Sequence, residues 1–126
     1  MYIIKKRIEI SSSHCLNLPY QSKCSKPHGH NWIIEVEISG EFLNEEGLLI
    51  DFTHIKEVVM QLDHTNINEV IKDKYPLNPT AENLAVWIAD KINNKIFAYW
   101  TGEDEKPTVT KVTVQESEGN TACYIP

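Results

Sequence analysis

The sequence has no long apolar run, no block of basic residues and few cysteines, and each shortage excludes a class of protein. No stretch approaches the roughly 18 apolar residues that a membrane span needs, and the opening MYIIKKRIEI lacks the plan of a signal peptide. The 12 Lys and Arg against 18 Asp and Glu give a net charge of −6, which argues against nucleic acid or an anionic membrane as partner. We therefore expect a small-molecule partner and a cytoplasmic location.

The cysteine content also argues against a disulfide framework. Cys15, Cys24 and Cys123 are odd in number and unevenly spaced, as is typical of reduced thiols. Cys15 and Cys123 are expected to be ordinary packing residues. A chain of 126 residues with 41% hydrophobic residues is large enough to bury one core. We therefore expect a single domain over residues 1–126.

Hydrophobic periodicity predicts the element order β-β-α-α-β-β. The predicted elements are a strand over 2–14, a strand over 30–40, a helix capped by Asp51 and running to about 62, a helix capped by Thr80 and running to about 99, and strands over 108–116 and 121–125. Residues 15–27 show no period and are expected to form a long loop. The class is therefore α+β, a four-stranded antiparallel sheet with two helices on one face.

Three histidines lie at the ends of the first two predicted strands. If these strands pair, His14 comes close to His28 and His30, and His28 and His30, two residues apart, share a face. Three neutral imidazoles with an open fourth position compose a catalytic zinc site, whereas magnesium or calcium would need carboxylates. The pattern favours Zn²⁺, and the alternative is a surface loop that happens to be rich in histidine.

Cys24, four residues before His28, has two possible roles in such a site. It could be a fourth ligand that closes a structural zinc site, or a free base beside the metal, and sequence spacing does not separate these. Lys23 and Lys26 flank this cysteine and could bind phosphate groups. The ordinary alternative is that both lysines are merely solvated.

Three acidic or basic residues elsewhere are further candidates. Glu116 continues the apolar row of the third predicted strand, where an ionised carboxylate is costly without a partner. The alternative is that it reaches water at the strand end. Asp63 and His64 follow the first predicted helix, and a dipeptide at a helix end explains them without any catalytic role.

Several motifs in this chain occur in the same order as in one enzyme family. The chain resembles the 6-pyruvoyltetrahydropterin synthase family over nearly its whole length, in His14, Cys24-x3-His28-Gly29-His30, Leu62-Asp63-His64 with Asn68, Pro79-Thr80-x-Glu82-Asn83, and Glu116-Ser117. The three-residue gap between Cys24 and His28 resembles the bacterial branch that forms 6-carboxytetrahydropterin in queuosine biosynthesis. Members that form the pyruvoyl product typically have a longer gap there.

The resemblance implies a role for each candidate residue. The three histidines would bind zinc, and Cys24 would be the proton acceptor rather than a ligand. Asp63 and His64 would form a relay that reaches the cysteine, typically from a neighbouring subunit. Glu116 would take part in the proton relay and anchor the pterin, whose ring N–H and 2-amino groups offer two parallel donors to a carboxylate. The implied fold is the T-fold, assembled into trimers or hexamers with active sites at the subunit interfaces.

The resemblance also implies a reaction. A zinc-dependent carbon–carbon lyase would convert 7,8-dihydroneopterin triphosphate to 6-carboxy-5,6,7,8-tetrahydropterin, with release of acetaldehyde and triphosphate and without a redox cofactor. Two alternatives stay open, a pyruvoyl-forming enzyme that eliminates triphosphate and a non-catalytic zinc module with Cys24 as the fourth ligand. The chain departs from the family pattern in the stretch Ile10-Ser11-Ser12-Ser13-His14, since an aromatic residue and an alanine commonly precede the first ligand, and at Ser25, where glycine is common.

Overall fold

The four strands form one antiparallel sheet in chain order. The computed structural model describes residues 1–72 and 78–126. Its strands are β1 (Tyr2–His14), β2 (His28–Gly40), β3 (Thr108–Ser117) and β4 (Asn120–Tyr124), in the order β1-β2-β3-β4. β1 pairs with β2 along its whole length, and this register places His14 directly opposite His28. The predicted α+β class and antiparallel sheet are confirmed.

Three α-helices accompany the sheet within residues 1–72 and 78–126, one more than the sequence predicts. They are α1 (Phe52–Met60), α2 (Ile67–Ile71) and α3 (Ala81–Tyr99). The prediction missed α2 because five residues are too few to display a helical period. The side chain of Asn66 caps α2 by accepting a hydrogen bond from the backbone of Asn68. None of the described helices combines the length and the hydropathy that a bilayer span requires.

The predicted capping residues of the two longer helices are confirmed. The Asp51 carboxylate accepts a hydrogen bond from the backbone N–H of Thr53 and caps α1. The Thr80 hydroxyl accepts one from the backbone N–H of Asn83 and caps α3. Each such cap stabilises its helix by about 1 kcal/mol.

The core lies between the helices and one face of the sheet. Alternate residues of β2 are fully buried there, namely Trp32, Ile34, Val36 and Ile38. The helical stripe predicted for α3 is buried against them, namely Leu84, Ile88, Ile92 and Ile96. Burial of each large aliphatic side chain contributes about 1.5–3 kcal/mol. His14, His28 and His30 lie on the same face as this core, since they continue the same alternation towards one end of the sheet.

The cysteines only partly follow expectation. All three are free. Cys15 is half-buried as a packing residue would be, but Cys123 is exposed and the prediction that it packs is wrong. It lies on β4, the short edge strand, whose outward residues have no further layer over them in this chain.

Truncation of Ile88 tests the contribution of α3 to the core. Ile88→Ala is expected to lower the free energy of unfolding by about 2–5 kcal/mol, because it leaves a cavity in a closely packed core, and Ile88→Val by about 0.5–1.5 kcal/mol. Urea denaturation followed by tryptophan fluorescence measures both losses. The matched control is Ile3→Ala, whose side chain is 57% exposed. A loss in Ile88→Ala no larger than in this control would contradict the packing described.

Candidate metal centre

The three candidate histidines converge as the sequence predicts. Their ring centroids lie 4.6 Å apart for His14 and His28, 5.2 Å for His14 and His30, and 4.9 Å for His28 and His30. Cross-strand pairing produces the first contact, and the two-residue spacing within β2 produces the third. Trp32 forms the floor, since its ring meets those of His14 and His30 edge-on at 4.8 Å and 5.2 Å.

Backbone carbonyls set the tautomers of two of these rings. His14 Nδ1 donates a hydrogen bond to the carbonyl oxygen of Pro79 at 2.8 Å, and His28 Nδ1 donates one to that of Lys26 at 2.7 Å. A carbonyl oxygen only accepts, so each neutral ring carries its proton on Nδ1 and keeps a lone pair on Nε2. Metal-binding histidines are oriented in this way by outer-shell partners.

Burial disfavours the charged form of two of the histidines. His14 is only 1% exposed, and burial is the main cause that lowers its pKa, although the hydrogen bond to Pro79 opposes this. Burial likewise lowers the pKa of His30, against an opposing pull from the carboxylate of Glu116. An imidazole that resists protonation retains the lone pair that a metal ion needs.

Glu116 faces the same two ring nitrogens. Its Oε1 lies 3.0 Å from His14 Nε2 and 3.1 Å from His30 Nε2. These separations are within ion-pair range, yet both Nε2 atoms are buried, and among the described residues neither has a hydrogen-bond partner with acceptable angles. A close contact without such angles is not a hydrogen bond.

The donor atoms together fit a metal ion. One donor each from His14, His28, His30 and Glu116 lie within 4.8 Å of one another. Three imidazoles with one carboxylate suit a first-row transition metal, whereas calcium and magnesium prefer oxygen ligands throughout. The two unpartnered buried nitrogens are the observation that decides this fit, because a bound cation would satisfy both.

Cys24 lies beside the metal-binding cluster and is not one of its donors. It is half-buried in a single 3-10 turn, Lys23–Ser25, whose cap is the hydroxyl of Ser22. Its neighbours enclose a pocket of about 530 Å³ that is lined by Lys23, Cys24, His28, Gly29, His30, Glu116, Ser117 and Asn120. Cysteine, metal donors and Lys23 therefore share one pocket.

Lys26 contributes to the site through its backbone. Its carbonyl orients His28, while its residue is exposed and is not among those that line the pocket. Of the two lysines proposed from the sequence for phosphate binding, only Lys23 lines this pocket.

Asp63 and His64 form a pair on the outer edge of β1. His64 Nδ1 is 2.8 Å from Asp63 Oδ2, and Asp63 Oδ1 accepts a hydrogen bond from the backbone N–H of Ser11. His64 adopts a left-handed backbone with φ 54°, and its side chain is 81% exposed. Within the described parts of this chain, no hydrogen bond, ion pair or ring contact joins His64 to Cys24 or to the three histidines. The pair is thus formed: Asp63 is bonded to β1 of its own chain, and the imidazole of His64 is exposed.

Two asparagines that were noted in the sequence only as family markers support the candidate metal site. Asn83 Nδ2 donates to the carbonyl of Asn78 at 2.7 Å and so holds the segment whose next carbonyl, that of Pro79, orients His14. The amide of Asn68 bonds both the N–H and the C=O of Cys15, the residue after His14. The two hydrogen bonds between Asn68 and Cys15 join residues 53 positions apart, and no spacing signal in the sequence could have assigned them.

Comparison with known proteins agrees with the geometry. The sequence model of the 6-pyruvoyl tetrahydropterin synthase family matches residues 3–126. The chain belongs to this family. A Bacillus subtilis relative named 6-carboxy-5,6,7,8-tetrahydropterin synthase is 30% identical over 98% of this chain and 84% of its own. A Pyrococcus horikoshii relative, provisionally given the same name, is 41% identical over 72% of this chain and 76% of its own.

A solved structure supports the fold of this pterin synthase family member. The chain superposes on the Caenorhabditis elegans 6-pyruvoyl tetrahydropterin synthase with a TM-score of 0.70 over 99% of this chain and 95% of that one. The two sequences are 23% identical, so this likeness concerns the fold alone. The T-fold implied by the sequence resemblance is confirmed.

Removal of the Asn83 amide tests the outer shell. Asn83→Ala is expected to weaken metal binding by about 10–100-fold, because His14 loses the support of the Pro79 carbonyl. Competition with a chelator measures the affinity, and Asn94→Ala on the exposed side of α3 is the control. Equal metal affinities in the two variants would show that the Asn83 bond does not position His14.

A pH titration tests the Asp63 contacts. The hydrogen bond from the Ser11 N–H, followed by the one with His64, lowers the pKa of Asp63. The wild-type protein should therefore be more stable than Asp63→Asn at neutral pH. This advantage is complete above the unfolded-state pKa of about 3.9 and is lost as the pH falls through the lower folded-state pKa.

Thermal unfolding of the metal-free proteins between pH 7 and pH 2 measures this difference. Asp104→Asn, in the exposed loop before β3, is the control. A stability difference between wild type and Asp63→Asn that did not shrink towards low pH would contradict the assignment.

Proposed function

We propose that the protein is a zinc-dependent carbon–carbon lyase that converts 7,8-dihydroneopterin triphosphate to 6-carboxy-5,6,7,8-tetrahydropterin, releasing acetaldehyde and triphosphate. The observation that carries this proposal is the convergence of the three histidine rings beside the pocket that Cys24 lines. The name of the Bacillus subtilis relative supports the choice of product. The three-residue gap between Cys24 and His28 also favours the carboxy-forming branch.

Zinc is the metal that this donor set favours. Three imidazole donors with one further position match catalytic zinc sites, and two of the three rings have their outer nitrogens bonded to carbonyls. When bound, zinc would acidify the substrate's side-chain hydroxyls and stabilise the enediolate charge that develops as protons move.

Cys24 is the proposed proton acceptor. It lines the pocket without belonging to the cluster of metal donors, so its thiolate is free to remove a proton from the substrate side chain and return it. Lys23 in the same pocket supplies positive charge that would attract the triphosphate. Lys26 is a second, more peripheral candidate for triphosphate binding.

Glu116 is proposed to hold the pterin ring. It lines the same pocket as Cys24, and a carboxylate can accept both the ring N–H and the 2-amino N–H in parallel. A ring fixed at that end would place the side chain over the metal and the thiol, which is the positioning that such a reaction requires.

Asp63 and His64 are proposed to serve the cysteine of another subunit. The exposed imidazole of His64, oriented by Asp63, is available to a neighbouring molecule. This role needs a homo-oligomer, proposed as a trimer or hexamer with sites at the interfaces. Within the described residues β1 and β4 are the edge strands of the sheet, and β1 is covered on its outer side only near Ser11 and Ser13, so both edges favour such assembly. We further propose one domain, a cytoplasmic location and a role in queuosine biosynthesis.

Two other functions compete with this proposal. Formation of a pyruvoyl product is the activity in the name of the Caenorhabditis elegans protein that shares the fold. A non-catalytic zinc module would use Cys24 as the fourth ligand, and the position of Cys24 outside the donor cluster argues against it.

Substitution of Cys24 separates these possibilities. Cys24→Ala should retain zinc at the wild-type stoichiometry and lose about 10²–10⁴-fold in turnover, because the metal donors stay while the base is removed. Metal content is measured by elemental analysis and acetaldehyde by trapping from 7,8-dihydroneopterin triphosphate. Cys123→Ala, on the exposed face of β4, is the control.

The products decide the reaction. Trapped acetaldehyde together with a 6-carboxy pterin supports the lyase, whereas a pterin that keeps its three-carbon side chain would identify the pyruvoyl-forming activity. Loss of zinc and of folding stability together in Cys24→Ala would instead identify a structural metal site.

A further inference from the structure

The contact of Glu116 with His14 joins two groups that should repel each other. His14 carries its proton on Nδ1, which donates to Pro79, so Nε2 presents a lone pair. The carboxylate Oε1 of Glu116 also presents lone pairs, and it lies 3.0 Å from this nitrogen. Two hydrogen-bond acceptors at this distance need a positive species between them.

A proton does not explain the contact well. The geometry of the two contacts fails the criteria of a hydrogen bond, both at His14 Nε2 and at His30 Nε2. Glu116 Oε1 sits nearly equidistant from the two Nε2 atoms, at 3.0 Å and 3.1 Å, which is unlike a bond to either one.

A shared cation explains the contact. Two donors that bind one ion tetrahedrally at about 2.0–2.1 Å lie about 3.3 Å apart. The separations of Glu116 Oε1 from His14 Nε2 and His30 Nε2 are within 0.3 Å of that value, at 3.0 Å and 3.1 Å. The carboxylate therefore already lies where a further ligand of the three-histidine site would be.

The same carboxylate cannot satisfy the metal and the pterin in full at once. Recognition of two parallel N–H donors takes both carboxylate oxygens. With Oε1 directed at the two histidine nitrogens, only Oε2 remains for the ring. The side chain of Glu116 is 28% exposed and lines the 530 Å³ pocket, so it has room to turn from one partner to the other.

We infer that Glu116 is an exchangeable metal ligand: Oε1 completes the coordination in the substrate-free protein, and the arriving pterin ring draws the carboxylate away. The position that it leaves becomes available to the substrate's side-chain oxygens. Glu116 thereby couples recognition of the ring to opening of the metal site. The displacement of Glu116 by a pterin ring rests on the proposed function. The role of Glu116 as a metal ligand in the substrate-free protein does not.

Cobalt substitution tests the ligand without turnover. The visible d–d spectrum of Co²⁺ reports the number and type of its ligands, and titration with Co²⁺ alone gives the affinity. Loss of an outer-shell partner costs about 10–100-fold in metal affinity, and Glu116→Gln, which removes a direct anionic ligand, should cost at least about tenfold. Its spectrum should also differ from wild type. The control Glu118→Gln alters an exposed carboxylate in the adjacent turn and should match wild type in both respects.

A pterin without a C6 side chain tests the exchange. This probe offers the ring edge to Glu116 but has no side-chain oxygens with which to reach the metal. Quenching of tryptophan fluorescence measures its binding. At saturation, the spectrum of the Co²⁺ wild-type protein should move towards that of Co²⁺ Glu116→Gln. An unchanged spectrum at saturation, or no binding of the probe, would overturn the exchange.

The outcomes keep this inference separate from the proposed reaction. Thermal unfolding of metal-free Glu116→Gln verifies that the variant folds. If it does not fold, a change in the Co²⁺ spectrum of the wild-type protein on saturation with the pterin still tests the exchange. Equal Co²⁺ affinity and spectrum in wild type and Glu116→Gln would refute the ligand role even if acetaldehyde is produced. A spectral shift with the probe in a protein that releases no acetaldehyde would support the exchange while the reaction assignment fails.

Discussion

The register of β1 against β2 is the constraint on which the candidate metal centre depends. It places His14 opposite His28 and brings His30 onto the same face. A slip of one residue would turn His14 to the opposite face of the sheet, because side chains alternate along a strand. Ile8 and Ile10, the buried apolar residues of β1, oppose this slip, since the same movement would turn them to the exposed face. Hydrophobic burial in the core thus determines where polar ligands meet at the end of the sheet.

The surroundings of the histidines remove water from the rings and favour the binding of a cation. Burial removes water from His14, and the carbonyls of Pro79 and Lys26 take the Nδ1 protons. Both effects leave lone pairs directed at a common point. The support for Pro79 comes from the start of α3, where Asn83 bonds the preceding carbonyl. A helix that is one of the main elements of the core therefore also orients the metal site.

Much of this arrangement could be predicted from local patterns. Alternation identified β1 and β2, helical spacing identified the buried stripe of α3, and capping residues located the starts of α1 and α3. α2 was missed because it is too short to show a period. The supporting role of Asn68 was missed because its hydrogen bonds reach Cys15, 53 positions away, and such bonds leave no trace in spacing. That of Asn83 was missed because the contact which it supports, between Pro79 and His14, spans 65 positions. Cys123 was misjudged because a small apolar residue on an edge strand has the same sequence signal whether or not a second layer covers it.

The sequence by itself determined the donors and their faces, since residue type and the two-residue period of a strand decide what His14, His28, His30 and Glu116 can bind and on which side they lie. Only the tertiary structure decided the protonated nitrogen of His14 and of His28, the placement of Cys24 beside the cluster instead of in it, and the exposure of His64. The physical reason is that patterning along a chain specifies which face is buried. Hydrogen-bond partners, desolvation and distances between donors exist only once remote segments have packed together.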